Sequence, residues 1–185
     1  MVCVKNTFYE NAVKMLYRAI DNNENRPIDL DSLLSFLDGE IATSDDLPQY
    51  VDAQLIKTPA GFSIVIATNV AQNPHEKNFT IAHEVAHLLL HTLYKGADGY
   101  WNSIEEGTPV FAKTSRGIVQ ELTQEQEADD FAYTLLMPYD LFIKKIDEHS
   151  DYGELHQKYL KDIADFFQVS ENDVIIRGRR LGIWQ

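Results

Sequence analysis

The sequence has 185 residues, of which 44% are hydrophobic and 24% are charged, a balance typical of a folded globular protein. Its 29 acidic residues exceed its 16 basic ones, and the resulting net charge of −13 disfavours direct binding to nucleic acid. A single cysteine, Cys3, excludes an internal disulfide framework, and no segment is apolar enough for a signal peptide or a membrane span. We therefore expect a cytoplasmic protein without membrane contact.

The first part of the chain predicts two helices followed by a β-hairpin. Apolar residues at helical spacing over residues 8–20 indicate a first helix, and leucines at residues 30–37 indicate a short second helix that ends at Gly39. Residues 50–57 and 62–68 have the composition of strands, and a Pro-Ala-Gly turn separates them. The second of these strands is apolar enough to be central in a sheet.

The remainder of the chain is predicted to be mainly helical. After a breaker at Gln72–Pro74, a helix begins near Asn78 and contains the segment FTIAHEVAHLLLHTL. Residues 94–120 show no sustained hydrophobic periodicity. Because this segment is long for a connection without secondary structure, we expect it to be functional or mobile. Thr123 is predicted to cap the next helix, which ends near a proline. Further helices are expected at residues 139–148, 154–167 and 171–181.

Strands in the first half and helices in the second indicate an α+β fold, with a small antiparallel sheet or hairpin packed on the helix that contains FTIAHEVAHLLLHTL. The length supports a single domain over residues 1–185. Within it, residues 1–76 would supply the N-terminal helices and the hairpin. Residues 77–138 would supply the helices of a metal site and their connecting loop, and residues 139–185 the helical C-terminal part.

The pattern H-E-x-x-H, formed by His83, Glu84 and His87, lies in the helix predicted after residue 77. Residues four apart project from one face of a helix about 6 Å apart along its axis, so both imidazoles can reach one metal ion at about 2.1 Å. Glu84, one step around the helix, can act as general base toward a water molecule. Metal-dependent hydrolysis needs a third protein ligand, which must come from elsewhere in the chain.

Two kinds of residue compete for the role of third ligand. His91 lies about 12 Å from His83 along a straight helix, so it is expected to pack on the helix face or against the sheet instead. Glu125 and Asp129 share a face with the apolar residues of the next helix, where a carboxylate is costly unless it is paired or metal-bound. Glu125 as ligand, with Asp129 bonded to a ligand histidine, is the consistent assignment. The alternative, an exposed acidic first turn favoured by the helix dipole, suits Glu127.

Two segments of the chain together resemble the ImmA/IrrE family of zinc metallopeptidases. Members pair F-T-x-A-H-E-x-x-H-x-x-x-H with E-x-x-A-(N/D)-x-F-A-x-x-L-L-M-P, and the sequence has FTIAHEVAHLLLH followed by EQEADDFAYTLLMP. Ala86 stands where glycine is usual, which keeps a small residue there. The resemblance implies a zincin-like fold. By position it implies His83, His87 and Glu125 as zinc ligands, Glu84 as catalytic base, and Asp129 as partner of a ligand.

The resemblance also implies a function and a substrate class. Family members typically act in the bacterial cytoplasm on a helix-turn-helix repressor, and the cleavage relieves repression of stress or mobile-element genes. An acidic enzyme would attract such a basic repressor and stay off DNA itself. The alternative is a non-catalytic, repressor-binding or antitoxin-like protein that retains the metal site. The presence of Glu84 favours an enzyme, because a purely structural site needs no base.

Some residues keep more than one interpretation at this point. The oxyanion-stabilising residue could be Tyr94, Tyr100, Tyr133, His149 or His156. Tyr100 and Trp101 form either a substrate-binding aromatic pair or the small core of their own loop. The basic cluster of Arg177, Arg179 and Arg180 could contact DNA or a partner, although solvated cations at a helix end are the commoner explanation.

Overall fold

A computed structural model of the protein describes residues 7–96, 99–114, 122–148 and 157–184. The chain divides into two compact units. The central unit is Leu30–Ala132, and the terminal unit combines Met1–Asp29 with Tyr133–Gln185. The described helices are α1 (Thr7–Ala19), α2 (Leu30–Phe36), α3 (Thr68–Ala71), α4 (Pro74–His91), α5 (Leu122–Leu136), α6 (Tyr139–Asp147), α7 (Gln157–Phe167) and α8 (Glu171–Arg180). The described strands are β1 (Gly39–Ser44), β2 (Val51–Lys57), β3 (Phe62–Ala67) and β4 (Pro109–Thr114). This content confirms the α+β class.

The described strands of the central unit form one four-stranded sheet in the order β1-β3-β2-β4. Strands β2 and β3 pair antiparallel, as the predicted hairpin requires. Strand β4 also pairs antiparallel with β2, whereas β1 runs parallel to β3, so the sheet is mixed rather than purely antiparallel. Gly39 opens β1 opposite Phe62, and a Cβ atom at this glycine would overlap the Phe62 ring. The glycine therefore permits strand pairing, whereas the predicted end of the second helix at Gly39 was wrong: α2 ends at Phe36 and Asp38 takes the left-handed conformation, with φ of 60°.

Strand β4 lies in the segment 94–120, where the sequence shows no sustained period. It begins at Pro109 and occupies an edge of the sheet, the position that tolerates a proline because one side of the strand needs no ladder partner. A short 3-10 turn, Tyr100–Ser103, precedes it. Part of this segment is therefore ordered structure that contributes to the sheet.

Helix α4 begins at Pro74, four residues before the predicted start at Asn78, so the interpretation of Pro74 as a breaker was wrong. Asn73 caps the helix by accepting a hydrogen bond from the backbone N–H of His75. Proline is favoured in a first helical turn because its missing N–H has no intrahelical partner there. The helix contacts β2, β3 and β4. The core of the central unit is formed by buried residues of the sheet and of α4, including Leu55, Phe62, Ile64, Ile66, Ile81, Val85 and Leu88.

The terminal unit contains a buried ion pair between Glu10 of α1 and Arg177 of α8. The Arg177 Nη2 and Glu10 Oε1 atoms lie 2.7 Å apart, and the two residues are 5% and 2% exposed. Arg177 also donates to the backbone oxygen of Met137, and Glu10 accepts from the backbone N–H of Tyr139. The arginine thus joins α1 and α8 to the start of α6.

Burial removes Arg177 from the basic cluster that the sequence indicated at the end of α8. The guanidinium of Arg180 lies over the ring of Tyr133, 4.8 Å from its centroid, and Arg179 is exposed. Ser170 caps α8 in a capping box with Asp173, which confirms the predicted start of this helix. None of the helices in the described ranges is long and apolar enough to cross a membrane.

Candidate metal centre

Two helices of the central unit supply the residues of the candidate site. Helix α4 carries His83, Glu84 and His87, and α5 carries Glu125 and Asp129. The two histidines are 1% exposed and Glu84 is fully buried, because this part of α4 packs into the core of the unit. The structure therefore brings all five of the sequence-predicted site residues into one unit.

Three side chains that could bind a metal ion converge on one point. His83 Nε2 and His87 Nε2 are 3.0 Å apart, His83 Nε2 lies 3.3 Å from Glu125 Oε2, and His87 Nε2 lies 3.1 Å from Glu125 Oε1. A tetrahedral ion with bonds of about 2.1 Å has its ligand atoms about 3.4 Å apart. The two nitrogens and the Glu125 carboxylate, which contacts each nitrogen through a different oxygen, therefore have the spacing expected of one face of a tetrahedral coordination shell. Within the described residues, these side chains form the group that could hold a metal ion.

Asp129 fixes the protonation of the His83 ring. Its Oδ1 lies 2.9 Å from His83 Nδ1, and because an ionised carboxylate only accepts hydrogen bonds, Nδ1 must carry the proton. A neutral imidazole with its proton on Nδ1 presents a bare Nε2, which is the form that binds a metal ion. Asp129 thus orients His83 toward the point where the ligand atoms meet.

The charges of the three converging side chains suit a divalent cation. Burial acts to raise the pKa of the Glu125 carboxyl, but the adjacent His83 and His87 side chains outweigh burial and hold the pKa below its usual range. Burial lowers the pKa of His87, although Glu125 opposes this effect. A carboxylate together with two imidazole nitrogens is a donor set that zinc accepts.

A metal ion held by these three side chains would keep a fourth tetrahedral position for water or substrate, which is the arrangement of catalytic rather than structural zinc sites. Glu84 is a carboxylate on the same helix, between the two histidines in sequence and removed from solvent. Burial of a carboxylate is costly and is tolerated where the group has a specific task. The arrangement can support metal-assisted hydrolysis with a protein base.

Three further residues contact the site, and the sequence did not assign them to it. The ring of Phe111, on β4, stacks on the His87 imidazole. His91 Nδ1 lies 2.9 Å from His87 Nδ1, and His91 Nε2 lies 3.2 Å from Glu127 Oε2. The spacing of four residues from His87 to His91 was a signal that they share a helix face. Phe111 gave no signal, because it lies in a segment without a period.

The structure gives the contacts of several residues whose role the sequence left open. The hydroxyl of Tyr94 donates to the backbone oxygen of Leu37, and that of Tyr133 donates to Asp173. Trp101 is buried against the Tyr94 ring, which supports the interpretation as a loop core, whereas Tyr100 is 59% exposed. The remaining oxyanion candidates, His149 and His156, lie outside the described residues, as does Cys3.

The fold and the motifs agree with comparisons to known proteins. The chain is similar to a solved structure of a Mycobacterium tuberculosis transcriptional regulator, with a TM-score of 0.58 and 17% identity. The alignment covers 92% of this chain and 46% of that chain, so the chain spans about half the length of this structural relative. No curated protein sequence matches it. A peptidase family described as the IrrE N-terminal-like domain matches residues 41–177. The chain therefore belongs to this ImmA/IrrE group of zincin-like metallopeptidases.

Proposed function

We propose that the protein is a zinc-dependent endopeptidase, with His83, His87 and Glu125 as the zinc ligands and Glu84 as the catalytic base. The observation that carries this proposal is the convergence of two Nε2 atoms and one carboxylate at mutual distances of 3.0–3.3 Å. Two imidazole nitrogens and a carboxylate oxygen in tetrahedral geometry are typical ligands of catalytic zinc. The membership of the chain in a metallopeptidase family supports the same chemistry.

Bound zinc would supply Lewis acidity, which polarises the carbonyl of a peptide bond and makes water more acidic. Glu84 takes the proton of the water molecule that attacks the carbonyl carbon. It then gives this proton to the amide nitrogen, so that the carbon–nitrogen bond breaks and a neutral amine leaves. Asp129 holds His83 in one orientation throughout, through its hydrogen bond to Nδ1.

The substrate that we propose is a helix-turn-helix repressor, and its cleavage in the cytoplasm would relieve repression of stress or mobile-element genes. The resemblance of both motif segments to ImmA/IrrE enzymes supports this class of substrate. The charge of the chain supports it as well, because a net charge of −13 attracts a basic DNA-binding protein and repels DNA. The protein would therefore act on the repressor rather than on the operator.

Incubation of the zinc-loaded protein with purified helix-turn-helix repressors of its host, beginning with any that is encoded next to its gene, tests this proposal. We expect two repressor fragments whose masses sum to the intact mass plus one water, and none after a chelator has removed the metal. Intact repressor after prolonged incubation with zinc-loaded protein would contradict cleavage of this substrate. If the intact repressor forms a stable complex instead, the protein is a non-catalytic binding module.

A further inference from the structure

Glu127 of α5 is connected to the candidate metal site by contacts through the His91 ring. His87 Nδ1, the ring nitrogen that points away from the converging ligand atoms, lies 2.9 Å from His91 Nδ1. On the other side of the His91 ring, Nε2 lies 3.2 Å from Glu127 Oε2. The His91 side chain is 6% exposed and that of Glu127 is 47% exposed. The contacts thus run from the half-exposed surface to a candidate zinc ligand.

When both imidazoles are neutral, the hydrogen-bonding capacities of these groups allow one arrangement of protons. The Glu127 carboxylate can only accept, so His91 Nε2 carries a proton and donates it. In a neutral ring, His91 Nδ1 is then bare and accepts a hydrogen bond. The donor for that bond is the Nδ1–H group of His87. A neutral His87 with its proton on Nδ1 has a bare Nε2, and this is the atom that faces His83 and Glu125.

From this geometry we propose that His91 and Glu127 are positioning residues that fix the tautomer and the ring orientation of His87 for metal binding. The inference rests on the proposed function, because it assigns His87 as a metal ligand. Helix α5 then orients both histidines of the motif. Asp129 acts directly on His83, and Glu127 acts on His87 through His91.

The surroundings of His91 restrict its ring to this role. Phe111 lies against both rings, with centroid distances of 4.3 Å to His87 and 5.9 Å to His91. A buried imidazole between an aromatic ring and a hydrogen-bonded neighbour has little freedom to rotate. The spacing of four residues on α4 places His91 on the same face as His87, on the side away from His83. His91 can therefore support His87 without reaching the metal itself.

Zinc affinity, measured by competition with a chromophoric chelator, tests the proposal. In His91→Phe the ring volume remains but the acceptor for His87 Nδ1–H is lost, and we expect binding about 10–100-fold weaker, the usual effect of removing such a partner. His91→Asn should recover much of this loss, because the asparagine Oδ1 lies near the position of the histidine Nδ1 and can accept the same bond. The matched control is His75→Phe in the first turn of α4, which should bind zinc like the wild type.

A second measurement determines which ring nitrogens of the histidines carry protons, and it does not depend on activity. Nitrogen-15 NMR of the imidazoles in the zinc-loaded protein should show His91 as a neutral ring, protonated on Nε2 and bare on Nδ1. A proton on His91 Nδ1 would overturn the proposal, as would an unchanged zinc affinity in a folded His91→Phe variant. If circular dichroism shows that His91→Phe does not fold, Glu127→Ala decides. Glu127→Ala should then bind zinc more weakly and lose the single protonation state of His91, and wild-type behaviour in both respects would overturn the proposal.

These outcomes are separable from failure of the proposed function. If the wild type binds zinc but cleaves no substrate, the endopeptidase proposal fails while the affinity series and the NMR still decide the role of His91. If the wild type cleaves and His91→Phe binds zinc equally tightly, only the positioning role fails. If the wild type binds no zinc, both proposals fail.

Discussion

The ring of Phe111 lies nearly flat on the imidazole of His87, with centroids 4.3 Å apart and planes inclined by 20°. Phe111 belongs to the edge strand β4 and is 9% exposed, so the sheet presses directly on a candidate zinc ligand. An aromatic pair of this kind contributes about 0.5–1.5 kcal/mol beyond the burial of area. The strand therefore restricts the orientation of the ligand as well as completing the core.

We expect Phe111→Leu to weaken zinc binding by up to about tenfold, since it keeps apolar volume but removes the stacked ring. Chelator competition measures the change. Phe36→Leu is a suitable control, because Phe36 is 47% exposed on α2. Equal zinc affinity in the Phe111 variant and the wild type would mean that the ring covers His87 without orienting it.

The carboxylates of α5 should differ sharply in their effect on metal content. Glu125→Gln replaces an anionic ligand by a weakly coordinating amide, and we expect the bound zinc, measured by mass spectrometry of metals, to fall sharply. Glu127→Gln should keep most of its zinc, because the amide oxygen can still accept the hydrogen bond from His91 Nε2. The reverse order would show that another face of α5 supplies the ligand.

Removal of either partner from the buried pair Glu10–Arg177 should destabilise the protein. We expect Arg177→Met to lower the free energy of unfolding by about 3–5 kcal/mol, because Glu10 would remain as an uncompensated buried charge. Urea unfolding measures this loss. Arg179→Met on the exposed face of α8 should stay within about 0.5 kcal/mol of the wild type. A double variant, Glu10→Leu with Arg177→Met, should recover part of the stability; a loss equal to the sum of the single losses would contradict this account.

Cleavage of a basic repressor should slow as salt is added. The net charge of −13 attracts such a substrate over a distance of about 10 Å at 0.1 M salt, and screening shortens this range. We expect kcat/KM to fall between 0.05 and 0.3 M salt, roughly in line with the screening length, while cleavage of a short neutral peptide with the same scissile bond changes little. A rate for the repressor that is indifferent to salt would remove the electrostatic part of the proposal.

The sequence predicted the features that depend on local patterns of apolar residues, or on the free-energy cost of burying a carboxylate. The hairpin followed from strand composition on both sides of a turn, and the grouping of Glu125 and Asp129 followed from their place on an apolar helix face. Strands β1 and β4 were not predicted, because the pairing of each depends on a partner distant in the chain. Pro74 was misread because a proline breaks a helix in its interior but starts one in its first turn.

The supporting residues of the site were harder to predict than its ligands. Glu127 lies on the opposite face of α5 from Glu125, and from the helix periodicity alone its side chain is expected to be solvated. Its contact with His91 depends on how α5 lies against the end of α4, which no local pattern specifies. Arg177 was placed in a basic surface cluster for the same reason, since its acidic partner Glu10 lies at the other end of the chain.

The Glu84→Gln variant tests the central claim most directly, with bound zinc and cleavage measured on the same sample. Glutamine keeps the shape of the buried side chain and cannot take a proton from water. The account predicts one zinc ion per chain, as in the wild type, and cleavage reduced by at least about 100-fold. Cleavage at the wild-type rate by the zinc-loaded variant would contradict the assignment of Glu84 as the base.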